Sequence, residues 1–164
     1  MSKFRPISRT LLLLILCLSG FSAFANESLP RVEIIEVTDF SQLTKQAGKD
    51  QKLILLEFSA SYCSYCVKLE EAILKPMLRS GDYEADVLIR KLQIDSYSQL
   101  RDFDGNLVSG DEIARRWQVK ITPTIIFLDS QNQEVSERIV GVNSLDYFGG
   151  FVDNAIAEGL ATIR

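Results

Sequence analysis

The chain has 164 residues, of which 46% are hydrophobic and 24% are charged. This balance excludes an intrinsically disordered protein and is sufficient for one domain with a hydrophobic core. The formal net charge is −4, and the sequence contains no histidine and no cluster of basic residues, which argues against a nucleic-acid-binding protein.

The first 25 residues have the pattern of a secretory signal peptide. MSKFRPISRT carries three basic residues and no acid, an apolar run follows, and Ala23-Phe24-Ala25 forms a small-x-small site. The apolar run is short for a membrane span of about 20 residues, so an uncleaved anchor is the less favoured alternative. We therefore expect cleavage after Ala25 and a single domain over residues 26–164.

Cleavage changes both the charge and the number of cysteines. The remaining domain has 15 Lys and Arg against 22 Asp and Glu, a net charge of −7. Of the three cysteines it keeps only Cys63 and Cys66. Export also predicts a location in the periplasm, where disulfides persist because the compartment is oxidising.

Hydrophobic patterning predicts strands that alternate with helices. Apolar or β-branched runs indicate strands over residues 32–37, 53–60, 86–95, 123–129 and 134–141. The run LILLEFSA at 53–60 is apolar almost throughout, which is typical of a strand buried on both faces of a sheet. The last two strands are joined by SQNQ and should form an antiparallel hairpin. Residues 96–110 are polar and predict a loop.

The first two predicted helices lie on either side of the apolar strand. The first covers residues 39–48, begins at a cap formed by Thr38 or Asp39, and ends at Gly48. The second follows the two cysteines with apolar residues at helical spacing. It contains Pro76, which should kink or end it because proline lacks the N–H that a helix uses.

The two later helices are indicated by their first residues. Ser109 and Glu112 form a capping box before a short helix that reaches Trp117, and the final helix begins near Ser144. The resulting order is β-α-β-α-β-α-β-β-α. It predicts an α/β domain in which helices cover both faces of a sheet.

Cys63 and Cys66 form a C-x-x-C pair where the buried strand gives way to a helix. A structural zinc site normally needs four sulfur or imidazole ligands, and the exported domain has two cysteines and no histidine. A copper site with two thiolates and a structural disulfide stay open as alternatives, although a crosslink over so short a loop gains little. A redox pair is favoured, because a helix N-terminus stabilises a thiolate. Cys63 would then attack a substrate and Cys66 would resolve the mixed disulfide.

The combination of a β-α-β unit with C-x-x-C is typical of thioredoxin-like proteins. The similarity to the thioredoxin family extends over residues 50–160. LEFSASYCSYC resembles the family's strand and active-site segment, RKLQID its next central strand, ARRWQVKITPTIIFLD its short helix and cis-proline strand, and GVNSLDYF the start of its final helix.

This resemblance implies the thioredoxin fold, a central mixed sheet flanked by helices on both faces with a C-terminal antiparallel hairpin and a final helix. It implies thiol:disulfide oxidoreductase activity without a cofactor. The signal peptide and the DFDGN excursion make the chain more similar to secreted bacterial thioredoxins, of which one subgroup serves periplasmic sulfur-oxidation systems.

The resemblance also assigns roles to residues outside the cysteine pair. Pro123 matches the family's cis-proline, which brings Thr122 beside the first cysteine and exposes backbone that pairs with a substrate peptide. Glu57 matches a buried acid whose raised pKa suits it to take the proton of the second cysteine. Lys91 matches a lysine that partners this acid.

Four residues depart from the family's pattern. Tyr62 replaces a tryptophan, Ser64 and Tyr65 replace Gly-Pro between the cysteines, and Glu57 replaces an aspartate. Tyr62, Tyr65 and Tyr97 are the candidates for an apolar rim that contacts a substrate protein, and for Tyr97 a position in the core or on the plain surface is equally expected.

The direction of electron flow is left open by these departures, because a C-x-Y-C pair also occurs in secreted disulfide isomerases. Reduction of secreted proteins is favoured, with a membrane protein as electron donor. A disulfide oxidant or isomerase is one alternative, and a non-catalytic copper-binding or adaptor protein is another.

Overall fold

The computed structural model describes residues 31–164, so the expected signal peptide and its cleavage site lie outside the described residues. The strands are β1 (Ile35–Glu36), β2 (Leu53–Ser59), β3 (Val87–Gln93), β4 (Leu100–Arg101), β5 (Leu107–Val108), β6 (Thr124–Leu128) and β7 (Ile139–Val140). The helices are α1 (Phe40–Asp50), α2 (Ser64–Leu69), α3 (Lys75–Ser80), α4 (Gly110–Arg116) and α5 (Phe148–Ile163), and a π-helical turn over Glu70–Leu74 joins α2 to α3.

Five of the strands form one mixed sheet in the order β1-β3-β2-β6-β7. β1, β3 and β2 are parallel, whereas β6 runs antiparallel to β2 and β7 antiparallel to β6. The predicted mixed sheet and C-terminal hairpin are therefore confirmed. The predicted loop at 96–110 contains a small antiparallel sheet of β4 and β5.

Helices cover both faces of the sheet, and each face has its own apolar core. One core packs α1 and α4 against one face of β2, β3 and β6. The other packs α2, α3 and α5 against the opposite face of the same strands. Because β2 is central, all seven of its residues are buried, as its apolar sequence predicted.

The boundaries of α1 show which local signals control a helix end. The carboxylate of Asp39 accepts the backbone N–H of Gln42 at 3.0 Å, as expected for an N-cap. The predicted end at Gly48 is wrong, because the helix continues to Asp50 and Gln51 adopts the left-handed conformation with φ 52°. Gly48 serves packing instead, since a Cβ there would lie 3.2 Å from Cβ of Ser130.

Pro76 does not end its helix. The π-helical turn immediately precedes α3, and within it the N–H of Lys75 donates to the carbonyl of Glu70, five residues earlier. Such a widened turn accommodates the missing N–H of a proline, and the helix continues to Ser80.

The remaining differences from prediction occur at edges. β1 and β7 each contain two residues, shorter than the predicted runs, because an edge strand has a ladder partner on one side only. The final helix begins at Phe148 rather than near Ser144, and the side chain of its N-cap residue, Tyr147, makes no capping hydrogen bond. Within residues 31–164, no helix is both long and apolar enough to cross a bilayer.

Candidate active site

Cys63 and Cys66 are joined by a disulfide at the start of α2, with their Cα atoms 5.3 Å apart. Cys63 is the N-cap of the helix, and its Sγ accepts a hydrogen bond from the N–H of Cys66 at 3.1 Å. Cys63 is 7% exposed and Cys66 is 1% exposed. Cys63 is therefore the sulfur that a substrate reaches more easily, and the N–H aimed at it favours a thiolate after reduction.

The segment before Cys63 is anchored to the end of β3. The carboxylate of Asp95 accepts the backbone N–H of Ser61 at 3.1 Å and the Ser61 hydroxyl at 2.5 Å, and Gln93 donates to it at 2.6 Å. These hydrogen bonds hold the pKa of Asp95 below its usual range, and the bond from the Ser61 hydroxyl has the largest effect. Sequence reasoning did not single out Asp95, although it lies two residues after β3, which is parallel to the strand that leads into the cysteines.

Pro123 lies at the same end of the sheet as the cysteines. Its peptide bond with Thr122 is cis. β6 starts at the next residue, and Thr124 pairs with Phe58 near the end of β2. The hydroxyl of Thr124 donates to the carbonyl of Ile121 at 2.7 Å and ties the loop before the proline to the strand.

Aromatic and aliphatic side chains on this end of the sheet are exposed. Tyr62 is 77% exposed, Tyr65 53% and Ile121 56%. The ammonium of Lys68 lies over the Tyr65 ring, 5.1 Å from its centroid. Ser64 is exposed as well. Ile121 was not among the predicted rim residues, and its place two residues before Pro123 was the available signal.

Glu57 is completely buried in β2. Among residues 31–164, neither of its carboxylate oxygens has a hydrogen-bond partner. Burial and, to a smaller extent, the charge of Glu70 raise its pKa, whereas the ammonium of Lys91 lowers it, and the net result is a pKa of about 8. Because a free thiol has a pKa of about 8.5, such a carboxyl can exchange a proton with a cysteine at little energetic cost.

Lys91 lies opposite Glu57 in the register of β2 and β3. It acts on Glu57 through its charge, but it donates its hydrogen bonds to the two carboxylate oxygens of Glu70, at 3.2 and 3.1 Å. Glu70 was missed by sequence reasoning. Its signal was its position four residues after Cys66, which places both residues on one side of a helix.

In the part of the chain that the structure describes, no three His, Cys, Asp or Glu side chains are grouped as metal ligands would be. The two cysteines that the copper alternative requires are bonded to each other. A copper ion would need both sulfurs as thiolates, and thus the reduced pair.

Comparison with known proteins places the chain in a family. Residues 40–156 match the family described as a thioredoxin-like domain. The chain belongs to this family. Thioredoxin H2-2 of Oryza sativa subsp. japonica is 34% identical over 90 residues, which are 55% of this thioredoxin-like chain and 53% of the rice protein. Thioredoxin-1 of Drosophila yakuba is 28% identical over 92 residues, 56% of this chain and 69% of the fly protein.

Solved thioredoxin structures share the fold. The thioredoxin of Malassezia sympodialis has a TM-score of 0.55 at 18% identity, covering 83% of this chain and 98% of its own. A poplar thioredoxin h has a TM-score of 0.55 at 21% identity, and the match covers 75% of this chain and 96% of the poplar chain. Family membership and the Cys63–Cys66 disulfide together support thiol:disulfide oxidoreductase activity for this thioredoxin-like chain.

Proposed function

We propose that the protein is a periplasmic thiol:disulfide oxidoreductase that reduces disulfides of secreted proteins. The observation that carries the proposal is the hydrogen bond from the N–H of Cys66 to Sγ of Cys63 at the start of α2. A donor at this position stabilises negative charge on Cys63 and marks it as the attacking sulfur.

The reduced pair acts in two exchange steps. The Cys63 thiolate attacks one sulfur of a substrate disulfide, a Cys63–substrate disulfide forms, and the other substrate sulfur leaves as a thiolate. Cys66 then loses its proton and attacks Sγ of Cys63. The intramolecular disulfide forms, the second substrate sulfur leaves, and two electrons have passed from the protein to the substrate.

Glu57 is proposed to accept the proton of Cys66 in the second step. Its burial and its unpartnered oxygens keep it available for proton transfer rather than bound in an ion pair. A pKa of about 8 means that a minor fraction is ionised at neutral pH and acts as the base. The same carboxyl returns the proton when the pair is reduced again.

The substrate is proposed to lie across the loop before β6 and the two exposed tyrosines. Thr122 and Pro123 precede β6 at the end of the sheet where the cysteines lie, and their backbone would pair with an extended substrate segment. Tyr62 and Tyr65 supply apolar contact area, and Ser64 lies between Cys63 and Tyr65 on the exposed side of α2.

The periplasmic location and the direction of electron flow rest on separate arguments. The location is supported by the signal-peptide pattern before Ala25. The reductive direction is supported by the absence of histidine from the sequence, since no imidazolium is available to stabilise an oxidant's thiolate. A reductase in an oxidising compartment needs a supply of electrons, for which we propose a membrane-bound dithiol donor.

The cysteine roles predict different defects for the two serine variants. Cys63→Ser should abolish reduction of a disulfide-bonded model protein, because no nucleophile remains at the exposed position. Cys66→Ser should accumulate mixed disulfides with substrates, visible as thiol-sensitive adducts in non-reducing electrophoresis, because resolution is blocked. Asp104→Asn, at an exposed acid outside the site, is the control. Full activity in either serine variant would contradict the mechanism.

The equilibrium reduction potential of the pair tests the direction. A potential of about −270 mV, which is that of thioredoxin, would support a reductase, whereas a potential of about −120 mV would identify a disulfide donor. A pair that does not titrate reversibly would favour the non-catalytic alternatives. Tight binding of one equivalent of copper by the reduced protein would then identify a copper carrier.

A further inference from the structure

Glu57 and Lys91 are neighbours of opposite charge that are not bonded to each other. They pair in register across β2 and β3, and alternation along the strands places both on the sheet face that carries Leu55 and Ile89. The Lys91 ammonium nevertheless donates to both oxygens of Glu70, and in the part of the chain that the structure describes both oxygens of Glu57 are without a hydrogen-bond partner. The fold thus sets two acids beside one cation, and the more deeply buried acid is left unbonded.

Glu70 is well placed to retain the cation. It is the first residue of the π-helical turn, and only 11% of its side chain is exposed, against 23% for Lys91. Because water screens such a pair weakly, its electrostatic attraction exceeds that of an ion pair on the surface.

Within residues 31–164, only Glu70 and Lys91 act on the pKa of Glu57 through their charges. β6 places Ile125 opposite Glu57, and α2 contributes Cys66 and Leu69 as buried side chains. On α3, the Lys75 ammonium is engaged by Glu33 at 3.0 Å and by Glu71 at 2.7 Å. Glu33 is also within electrostatic range of Lys91, but its side chain is 68% exposed. The charge balance at Glu57 is therefore set by Glu70 and Lys91.

We propose that Glu70 is a positioning residue that captures the Lys91 ammonium and prevents it from forming an ion pair with Glu57. The inference rests on the proposed role of Glu57 as the proton carrier for Cys66. An ammonium bonded to Glu57 would hold the carboxyl as an anion and remove its ability to carry a proton at neutral pH. Capture by Glu70 leaves the carboxyl uncharged and available, in agreement with its raised pKa.

Direct titration of Glu57 in the oxidised protein tests the inference. Side-chain carboxyl ¹³C shifts are followed by NMR against pH in the wild type, Glu70→Gln and Glu71→Gln. The wild-type midpoint should lie close to 8. Glu70→Gln releases Lys91, so the Glu57 midpoint should fall by about 1–3 pH units. Glu71→Gln removes an exposed acid from the same turn without touching Lys91, and its midpoint should equal that of the wild type.

A charge-conserving variant separates capture of the ammonium from the charge of Glu70 itself. Glu70→Asp keeps the negative charge but withdraws the carboxylate by one methylene, which weakens its hold on Lys91. Capture predicts that the midpoint of Glu57 falls in this variant too. A midpoint that stays at the wild-type value or rises would overturn the proposal, since the charge alone would then account for the effect of Glu70→Gln.

The double variant Glu70→Gln/Lys91→Gln gives a second, independent arm. Capture predicts that Glu70→Gln lowers the midpoint strongly when Lys91 is present and much less in the Lys91→Gln background. Equal shifts in both backgrounds would overturn the proposal.

Failure of the inference can be distinguished from failure of the proposed function. The titration uses the oxidised protein without substrate, so it reports on the ion pair whether or not the protein reduces disulfides. In single-turnover reduction, the pH profile of mixed-disulfide resolution should shift with the Glu57 midpoint in Glu70→Gln. Shifted midpoints in a protein without reductase activity would refute the function alone. Wild-type activity with unmoved midpoints would refute the role of Glu70 alone.

Discussion

The two faces of β2 carry opposite kinds of residue within the same buried strand. Ile54, Leu56 and Phe58 pack against α1 and α4 in an entirely apolar core. The other face begins with apolar residues, Leu53 and Leu55, but continues with Glu57 and Ser59, both buried. The polar residues occur only towards the end of the strand where the cysteines follow.

This contrast shows how a small domain tolerates a costly group. Burying a carboxyl without hydrogen bonds is unfavourable, and burial of Glu57 is tolerated because the rest of the strand contributes apolar packing on both sides. The face of β2 with Ile54, Leu56 and Phe58 therefore contributes only to stability. The face with Glu57 contributes less to stability but carries a group that can transfer a proton.

The largest expected effect belongs to the apolar face. Leu56→Ala should lower the free energy of unfolding by about 2–5 kcal/mol, because Leu56 is completely buried and a cavity would remain. Urea unfolding measures the loss. The reduction potential of the Cys63–Cys66 pair should stay at its wild-type value. A shifted potential would show that the two faces of β2 are energetically coupled, which would contradict this prediction.

The next effect belongs to the polar face and depends on pH. The folded pKa of Glu57 is raised from 4.5 to about 8, so the folded state holds an extra proton between these values. The stability that Glu57 contributes is therefore fully present below about pH 4.5 and is lost as the pH rises towards 8, by up to about 1.4 kcal/mol for each pH unit.

Glu57→Gln tests this linkage, because it mimics the protonated acid at every pH. Its free energy of unfolding should match the wild type at acid pH and exceed it at alkaline pH, as measured by urea unfolding of the oxidised proteins. Resolution of mixed disulfides should slow at the same time. Parallel stability profiles for the two proteins would mean that Glu57 titrates normally.

The smallest effect on stability is expected where the site meets solvent. Asp95→Asn weakens the anchoring of Ser61, and because Asp95 is partly exposed, the loss should stay below about 1 kcal/mol. The rate at which Cys63 attacks a small disulfide should nevertheless fall, because its loop is less well positioned. Asp104→Asn, at an exposed acid in the excursion, is the control. Equal attack rates in the two variants would remove Asp95 from the site.

Predictions that depend on residues close together in sequence succeeded more often than predictions that depend on residues far apart in sequence. The caps at Asp39 and Ser109 involve residues three positions apart, and each side chain accepts the expected backbone N–H. The capping box is formed only in this half, because the Glu112 carboxylate accepts from Arg116. The end of α1 at Gly48 failed because contact with Ser130, far along the chain, favours glycine inside the helix. The hydrogen-bond partner of Lys91 could not be predicted, because it depends on which helix turn covers β3.

Local patterning was sufficient for the alternation of strands and helices, the burial of β2 and the position of the C-x-x-C pair at a helix start. These features follow from hydrophobic period and from hydrogen bonds over a few residues. The hydrogen-bond partners of Lys91 and Ser61 depend on the packing of elements that are distant in sequence. The same packing leaves Glu57 without a hydrogen-bond partner among residues 31–164. An isolated segment contains no information on these choices, because the desolvation that raises the pKa of Glu57 arises only when the sheet and its covering helices meet.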